Sequence, residues 1–345
     1  MSRTLASIQR ITDIQPIPDA DAIEVASVLG WKVVVKKGEY QVGDLAVYLE
    51  IDSVPPDEEQ YRFLWKFADQ RPNNFRIKTI KLRGQISQGI LFPVTGVHRE
   101  LIPWFLASEE ESIMVPPEGT DLTDFLSVTK YEAPLPGGSS NVEGQFFDGV
   151  PKTDEERVQS STGAKHLAAL QGRPYYITVK CDGSSMTVAM HDGEPKVASR
   201  NYRLSDVEGS AYYAAARNSG LLETVRQHPQ YAFQGELCGP GIQNNRLGLT
   251  QHECFVFNIY DRNEGRYLSL WEMKALQEMY RFHTVPVLDT GLFFKATQEQ
   301  LLEFAEGKYE GTKNEREGIV IRSNDSGPFV SFKAISNRYL LKGGE

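Results

Sequence analysis

The sequence predicts an α+β chain in two parts: a small all-β domain, then a domain of antiparallel sheets flanked by helices. Three observations carry this expectation. Short apolar runs separated by turn residues fill the first part. A Pro/Gly/Ser-rich stretch, APLPGGSSNVEGQ, then interrupts the chain, and beyond it strand-like runs alternate with capped helical stretches.

In chain order, the first part reads IEVASVLG, WKVVVKKG and DLAVYLEI, then a more helical aromatic interval, YRFLWKFAD, and then FRIKTIKLRGQISQGILFPV. Short strands at this spacing point to a small β-barrel or sandwich. The opening, with PDADAIEV before a strand and a Gly-Asp turn before the next, resembles an OB-fold. The resulting division is an OB-like domain over 1–132, a linker over 133–149 and a second domain over 150–345. In that domain one helix is expected from Ser205 to His228. Two more follow the capping boxes Ser269-Leu-Trp-Glu272 and Thr297-Gln-Glu-Gln300.

Composition limits the function. The 345-residue chain has a net charge of −9, which argues against a surface that grips a polyanion everywhere, so any nucleic-acid contact is expected to be local. The cysteines Cys181, Cys238 and Cys254 have neither zinc nor disulfide spacing. No stretch of about 18 apolar residues occurs, so no membrane partner is expected. A soluble, monomeric, cytoplasmic protein is the expectation.

The stretch YYITVKCDGSSMTVAMHD places Lys180 at the end of an apolar strand, before an Asp-Gly turn signal and a second apolar run. A hairpin with a solvated lysine at its mouth is the simple expectation. Yet Lys180-Cys-Asp182-Gly183 also matches the Lys-x-Asp-Gly nucleophile motif, and further matches follow in order. They are Ser199-Arg200-Asn201, Phe233-Gln-Gly-Glu236-Leu-Cys-Gly239, Phe255-Val-Phe257-Asn-Ile-Tyr-Asp261, Glu317-Gly318-Ile-Val-Ile-Arg322 and Ser331-Phe-Lys333. This series resembles the covalent nucleotidyltransferases, which comprise ATP-dependent DNA and RNA ligases and GTP-dependent capping enzymes. The wording GELCGPGIQNN and SFKAISNRYL is closer to RNA ligases.

The resemblance implies roles. Lys180 would attack the α-phosphorus of ATP and carry AMP as a phosphoramidate, a reaction that needs a neutral amine from a group whose free pKa is about 10.4. Asp182 and Gly183 belong to the same nucleotide site. Glu236 and Glu317 would hold Mg²⁺ or Mn²⁺ through water, and Lys333 would contact the α-phosphate. Many relatives carry a second lysine where Ser331 stands, and Lys313 is the candidate to replace it. Phe255 and Phe257 share a face by period two; one would stack on adenine, with Phe255 favoured. Arg200 would lie near the ribose or the RNA 3′ end, with a surface ion pair as its other reading. Arg157 either clamps the outer phosphates or belongs to a salt-bridged helix start.

Only Ala334 to Glu345 follow Lys333, whereas DNA ligases and capping enzymes carry an OB domain after the last motif. An OB-like domain that comes first resembles the RNA ligase group with that order. In it, Arg76, Lys78, Lys81 and Arg83 would touch RNA phosphates, or else protect an edge strand from aggregation. The expected function is sealing of RNA 5′-phosphate and 3′-OH ends, as at a nicked duplex, in RNA repair. A DNA nick ligase, a capping enzyme and a non-catalytic RNA-binding protein are the alternatives.

Overall fold

The computed structural model describes residues 3–65, 75–94, 116–131 and 141–343. The chain divides into two compact units, Met1–Ala133 with Gln159–Ser161, and Pro134–Val158 with Thr162–Glu345.

In the first unit the strands are β1 (Ala6–Arg10), β2 (Asp13–Pro16), β3 (Ile23–Val28), β4 (Trp31–Lys36), β5 (Leu45–Leu49), β6 (Ser53–Val54), β7 (Ile80–Leu82), β8 (Gln85–Ser87), β9 (Ile90–Pro93) and β10 (Thr129–Lys130). All pair antiparallel, in the orders β1-β5-β9, β2-β3-β4, β6-β10 and β7-β8. The pattern WKVVVK buries Trp31, Val33 and Val35 on one face of β4 and leaves the intervening side chains more exposed, as a one-sided antiparallel sheet requires. The aromatic interval is a 3-10 helix, Glu59–Trp65, and residues 66–69 of it lie outside the described residues. FRIKTIKLRG is not one strand, because only Ile80–Leu82 pairs, turning at Arg83-Gly84, both at positive φ, into β8.

The second unit contains β11 (Val142–Gln145), β12 (Glu156–Arg157), α1 (Ser161–Leu170), β13 (Tyr175–Lys180), β14 (Ser184–His191), β15 (Glu194–Ala198), β16 (Tyr202–Leu204), α2 (Ala211–Asn218), α3 (Leu221–Gln227), β17 (Tyr231–Cys238), β18 (Glu253–Asp261), β19 (Arg266–Tyr267), α4 (Leu270–Tyr280), β20 (Val287–Gly291), α5 (Gln298–Ala305), β21 (Gly318–Ser323), β22 (Ser331–Ile335) and α6 (Asn337–Leu341). Among the described residues these strands make two sheets, β11-β16-β15-β14-β17-β18-β19 and β12-β22-β21-β13-β20.

Several local expectations change here. β13 and β14 do not form a hairpin, since β13 pairs with β20 and β21 while β14 pairs with β15 and β17. The chain leaves one sheet at Lys180 and enters the other at Ser184. Of the expected linker, residues 133–140 lie outside the described residues, whereas β11 is an edge strand and Phe146 and Phe147 pack with Val150, Ala189, Ala198 and Ala232. The Pro/Gly/Ser composition therefore gives way to folded structure before residue 149. The helix expected over 205–228 is two helices, broken where Gly220 takes φ +68 between α2 and α3.

Both capping boxes are present, at Ser269 before α4 and at Thr297 before α5. Glu272 of the first accepts hydrogen bonds from Arg266 (2.8 and 3.0 Å) and from the Ser269 amide (2.7 Å). Arg266 and Ser269 together hold its carboxyl down at about 2, against the opposing effect of partial burial. A depressed acid stabilises the fold above its ordinary value and loses that contribution as pH falls through the folded value. Glu272→Gln is therefore expected to melt with less acid sensitivity than the parent between pH 4.5 and about 2. Identical melting curves for the two proteins across that window would refute the assignment.

Candidate active site

Register decides what the five-stranded sheet shows to its two faces. Directly paired residues share a face, so the pairs Lys180↔Gly318, Thr178↔Val320, Tyr176↔Arg322, Val320↔Lys333, Arg322↔Ser331 and Arg157↔Lys333 place Lys180, Lys333, Arg322 and Arg157 on one side. The other side buries Ile177, Ile319, Ile321, Phe332 and Ala334 in an apolar cluster. The cationic side faces the seven-stranded sheet, for Tyr176 packs with Met186, Phe233 and Val256 of that sheet, and Arg322 lies 5.4 Å from the Phe257 ring.

Lys180 Nζ is 2.6 Å from Glu317 Oε1, with Glu317 almost wholly buried. Gly318 follows Glu317 with no room for a side chain, because a Cβ there would strike the Ala334 carbonyl of β22. Buried Tyr309 fixes the same corner, donating to the Lys180 carbonyl and accepting from the Glu317 amide, both at 3.0 Å. Burial pushes its phenol up, and the Glu317 carboxylate adds to the effect.

Glu236 comes from β17, opposite Ser185 and Phe255. Burial pushes its carboxyl up to about 7; Lys180 and Lys333 oppose this, and the neighbouring carboxylates Glu155 and Asp182 reinforce it. Crowded carboxylates of this kind are short of positive charge. Glu236 and Glu317 thus fit a hard divalent cation in charge and in donor type. Among the described residues no group of three or more His, Cys, Asp and Glu could hold an ion directly, and two carboxylates reached through coordinated water do not require one.

Asp182 and Gly183 lie on the crossover between the sheets. Gly183 is required by space, since a Cβ would strike the Leu237 carbonyl and approach Glu236 Cγ at 2.7 Å. Phe257 occupies a bulge in β18 and is buried with Val179, Cys181, Cys238, Val285 and Tyr309, whereas Phe255 is half-buried at the margin of that cluster, 5.7 Å from the His283 ring. The period-two pairing of the two phenylalanines thus separates into a core residue and a more open one.

The other expected residues divide between this face and more exposed positions. Arg200 forms an ion pair with Asp154, both partly exposed. Arg157 lies in a strand, almost fully buried beside Lys333, and not in a helix start or an exposed flap. Lys313 is exposed in the turn before Glu315. In the first unit Lys78, Lys81 and Arg83 are exposed, but Arg76 is drawn in beside Asp52 (3.7 Å) and over the Tyr131 ring (4.5 Å). Sequence reasoning assigned no role to Glu155, Arg322, Arg246, Tyr309 or Tyr339. Of these, Arg322 stands inside one of the ordered motifs and Tyr339 inside the stretch SFKAISNRYL. Glu155 accepts from Arg322 at 3.1 Å and from Ser331 at 3.4 Å, so the serine position is served by a buried arginine on the next strand.

A lysine against a buried glutamate on a cation-lined sheet, facing a second sheet with another glutamate, defines a nucleotidyltransferase. Family models match an OB-fold domain over residues 5–94 and RNA ligase over residues 173–335. Among solved structures, Naegleria gruberi RNA ligase in a lysine-to-methionine variant with AMP and Mn is 35% identical, with a TM-score of 0.85 and coverage of 99% of this chain and 100% of that one. The same ligase with PPi is 36% identical, at a TM-score of 0.83, with 98% of each chain covered. Comparison with curated proteins found no match. The chain belongs to the RNA ligase family, with its OB-fold domain first.

Proposed function

We propose that this protein seals RNA 5′-phosphate and 3′-OH ends at breaks such as nicked duplexes, as a monomeric cytoplasmic repair enzyme. It is an ATP-dependent RNA ligase, and its first covalent intermediate is lysyl-AMP. The observation that carries the reading is the Lys180–Glu317 pair, 2.6 Å apart on the cationic face.

Lys180 Nζ attacks the α-phosphorus of ATP, the bond to the pyrophosphate oxygen breaks, and the phosphoramidate keeps AMP on the protein. AMP then passes to the RNA 5′-phosphate. A 3′-OH attacks that end, expels AMP and closes the strand. Glu317 orients the Lys180 side chain beforehand, and the Lys180 ammonium gives one proton to solvent before its nitrogen lone pair attacks. Lys333 and Arg157, neighbours on the same face, meet the charge that develops as pyrophosphate departs. What a divalent cation at Glu236 and Glu317 supplies is positive charge, for the phosphates and in place of the ammonium. Phe255, the more exposed phenylalanine, stacks on the base, and Arg200 and Lys313 border the nucleotide.

Lys78, Lys81 and Arg83 of the OB-fold unit contact the RNA backbone, with Arg76 supporting their loop. No helix among the described residues is long and apolar enough to cross a membrane. Incubation with radiolabelled ATP and Mn²⁺, followed by sealing assays on nicks with RNA or DNA at the 3′-OH side, tests the reading. Sealing is expected with RNA at that position. Preference for an all-DNA nick would move the assignment to DNA repair.

A further inference from the structure

The crossover between the sheets carries an aspartate whose two oxygens are both engaged by protein donors. Asp182 Oδ1 accepts from the Tyr339 hydroxyl at 2.9 Å, and Oδ2 accepts from Arg246 Nε at 2.9 Å. All three side chains are mostly buried, and the Arg246 guanidinium lies 4.8 Å over the Tyr339 ring. A buried carboxylate held by a charged donor and a hydroxyl is a fixed point in the fold.

Asp182, Arg246 and Tyr339 come from segments that each follow a proposed catalytic residue. Asp182 stands two residues after Lys180. Arg246 lies in the loop that follows β17, the strand of Glu236, and its carbonyl accepts from Asn314 at 2.7 Å, just before Glu317. Tyr339 is on α6, which begins after Ser336, in the segment that leaves β22 past Lys333. Ser336 caps α6 by accepting from the Tyr339 amide at 3.1 Å, so the cap fixes where the tyrosine starts.

We propose that Tyr339 and Arg246 are positioning residues for lysine adenylylation, acting through Asp182 to set the Lys180 amine relative to Glu236, Glu317 and Lys333. On this account Asp182 anchors the frame, and the C-terminal helix α6 is part of that frame. The proposal rests on the lysyl-AMP reading above.

The test is the single-turnover rate of self-adenylylation at saturating ATP, together with the ATP concentration giving half that rate. Tyr339→Phe keeps the ring and removes only the hydroxyl. Its rate is expected to fall about tenfold, as small displacements of reacting groups do, while half-saturation stays within about twofold. In an Asp182→Ala background Tyr339→Phe should cause no further loss, because the hydroxyl then has nothing to hold. A wild-type rate in Tyr339→Phe overturns the proposal, as does a loss that multiplies with that of Asp182→Ala, or one confined to half-saturation. Should Tyr339→Phe melt well below the parent, Arg246→Gln is put through the same cycle with the same criteria. Absence of label on the wild-type protein would sink the lysyl-AMP reading itself, a result separable from any of these.

Discussion

Lys180→Met is expected to abolish covalent labelling by ATP, lowering self-adenylylation by a factor on the order of 10³ or more, because the amine that forms the phosphoramidate is gone. The unbranched methionine keeps the apolar stem in place. Lys180→Ala should lose label equally, and both variants should lose stability because each deprives nearly buried Glu317 of the ammonium 2.6 Å away, Lys180→Ala more so since it also removes the stem. Labelling is read by denaturing electrophoresis and stability by thermal melting. Label that persists on Lys180→Met would end the assignment of Lys180 as nucleophile. A melting temperature for Lys180→Ala equal to that of the parent would show that the ion pair contributes nothing to folding.

Gly183→Ala is expected to be nearly as damaging to activity, although it adds a single methyl group. The added Cβ meets the Leu237 carbonyl of β17, with Glu236 Cγ at 2.7 Å and Cys238 Sγ at 2.9 Å. A backbone carbonyl cannot rotate away as a flexible side chain can, so the crossover and β17 must separate. That costs about 1–3 kcal/mol of stability. The same separation moves Glu236 relative to Lys180, and labelling should slow by about tenfold or more. Measured by melting and by single-turnover labelling, wild-type values for both would show that the two strands do not approach as closely as described.

The site was legible in the sequence to different depths. Lys180, Glu236, Glu317 and Lys333 stand in ordered motifs because each proposed role demands one residue type at the end or on one face of a strand. The capping boxes at Ser269 and Thr297 were readable for a similar reason, since a cap is settled within four residues of chain. The Asp-Gly signal misled, because a hairpin turn and a sheet-to-sheet crossover use the same dipeptide and differ only in what lies opposite. Gly183 is small for lack of space against β17, a reason held by residues more than fifty positions away. Arg246 and Tyr309 carried no local signal, and Tyr339 stood in SFKAISNRYL with no role legible, for their partners Asp182, Lys180 and Glu317 are brought to them only by folding.

By itself the sequence carried the features on which the proposed chemistry rests: a lysine in a nucleophile-like motif, two glutamates suited to a cation, and an OB-like domain placed first. Those are matters of residue type, order and period, all written along the chain. Only the tertiary structure decided that β13 and β14 belong to different sheets, that Lys180, Lys333, Arg322 and Arg157 share one face, and that Asp182 is held by Arg246 and Tyr339. Pairing between distant strands sets each of these, and the free energy that selects a pairing comes from the faces it buries, which no local stretch of sequence contains.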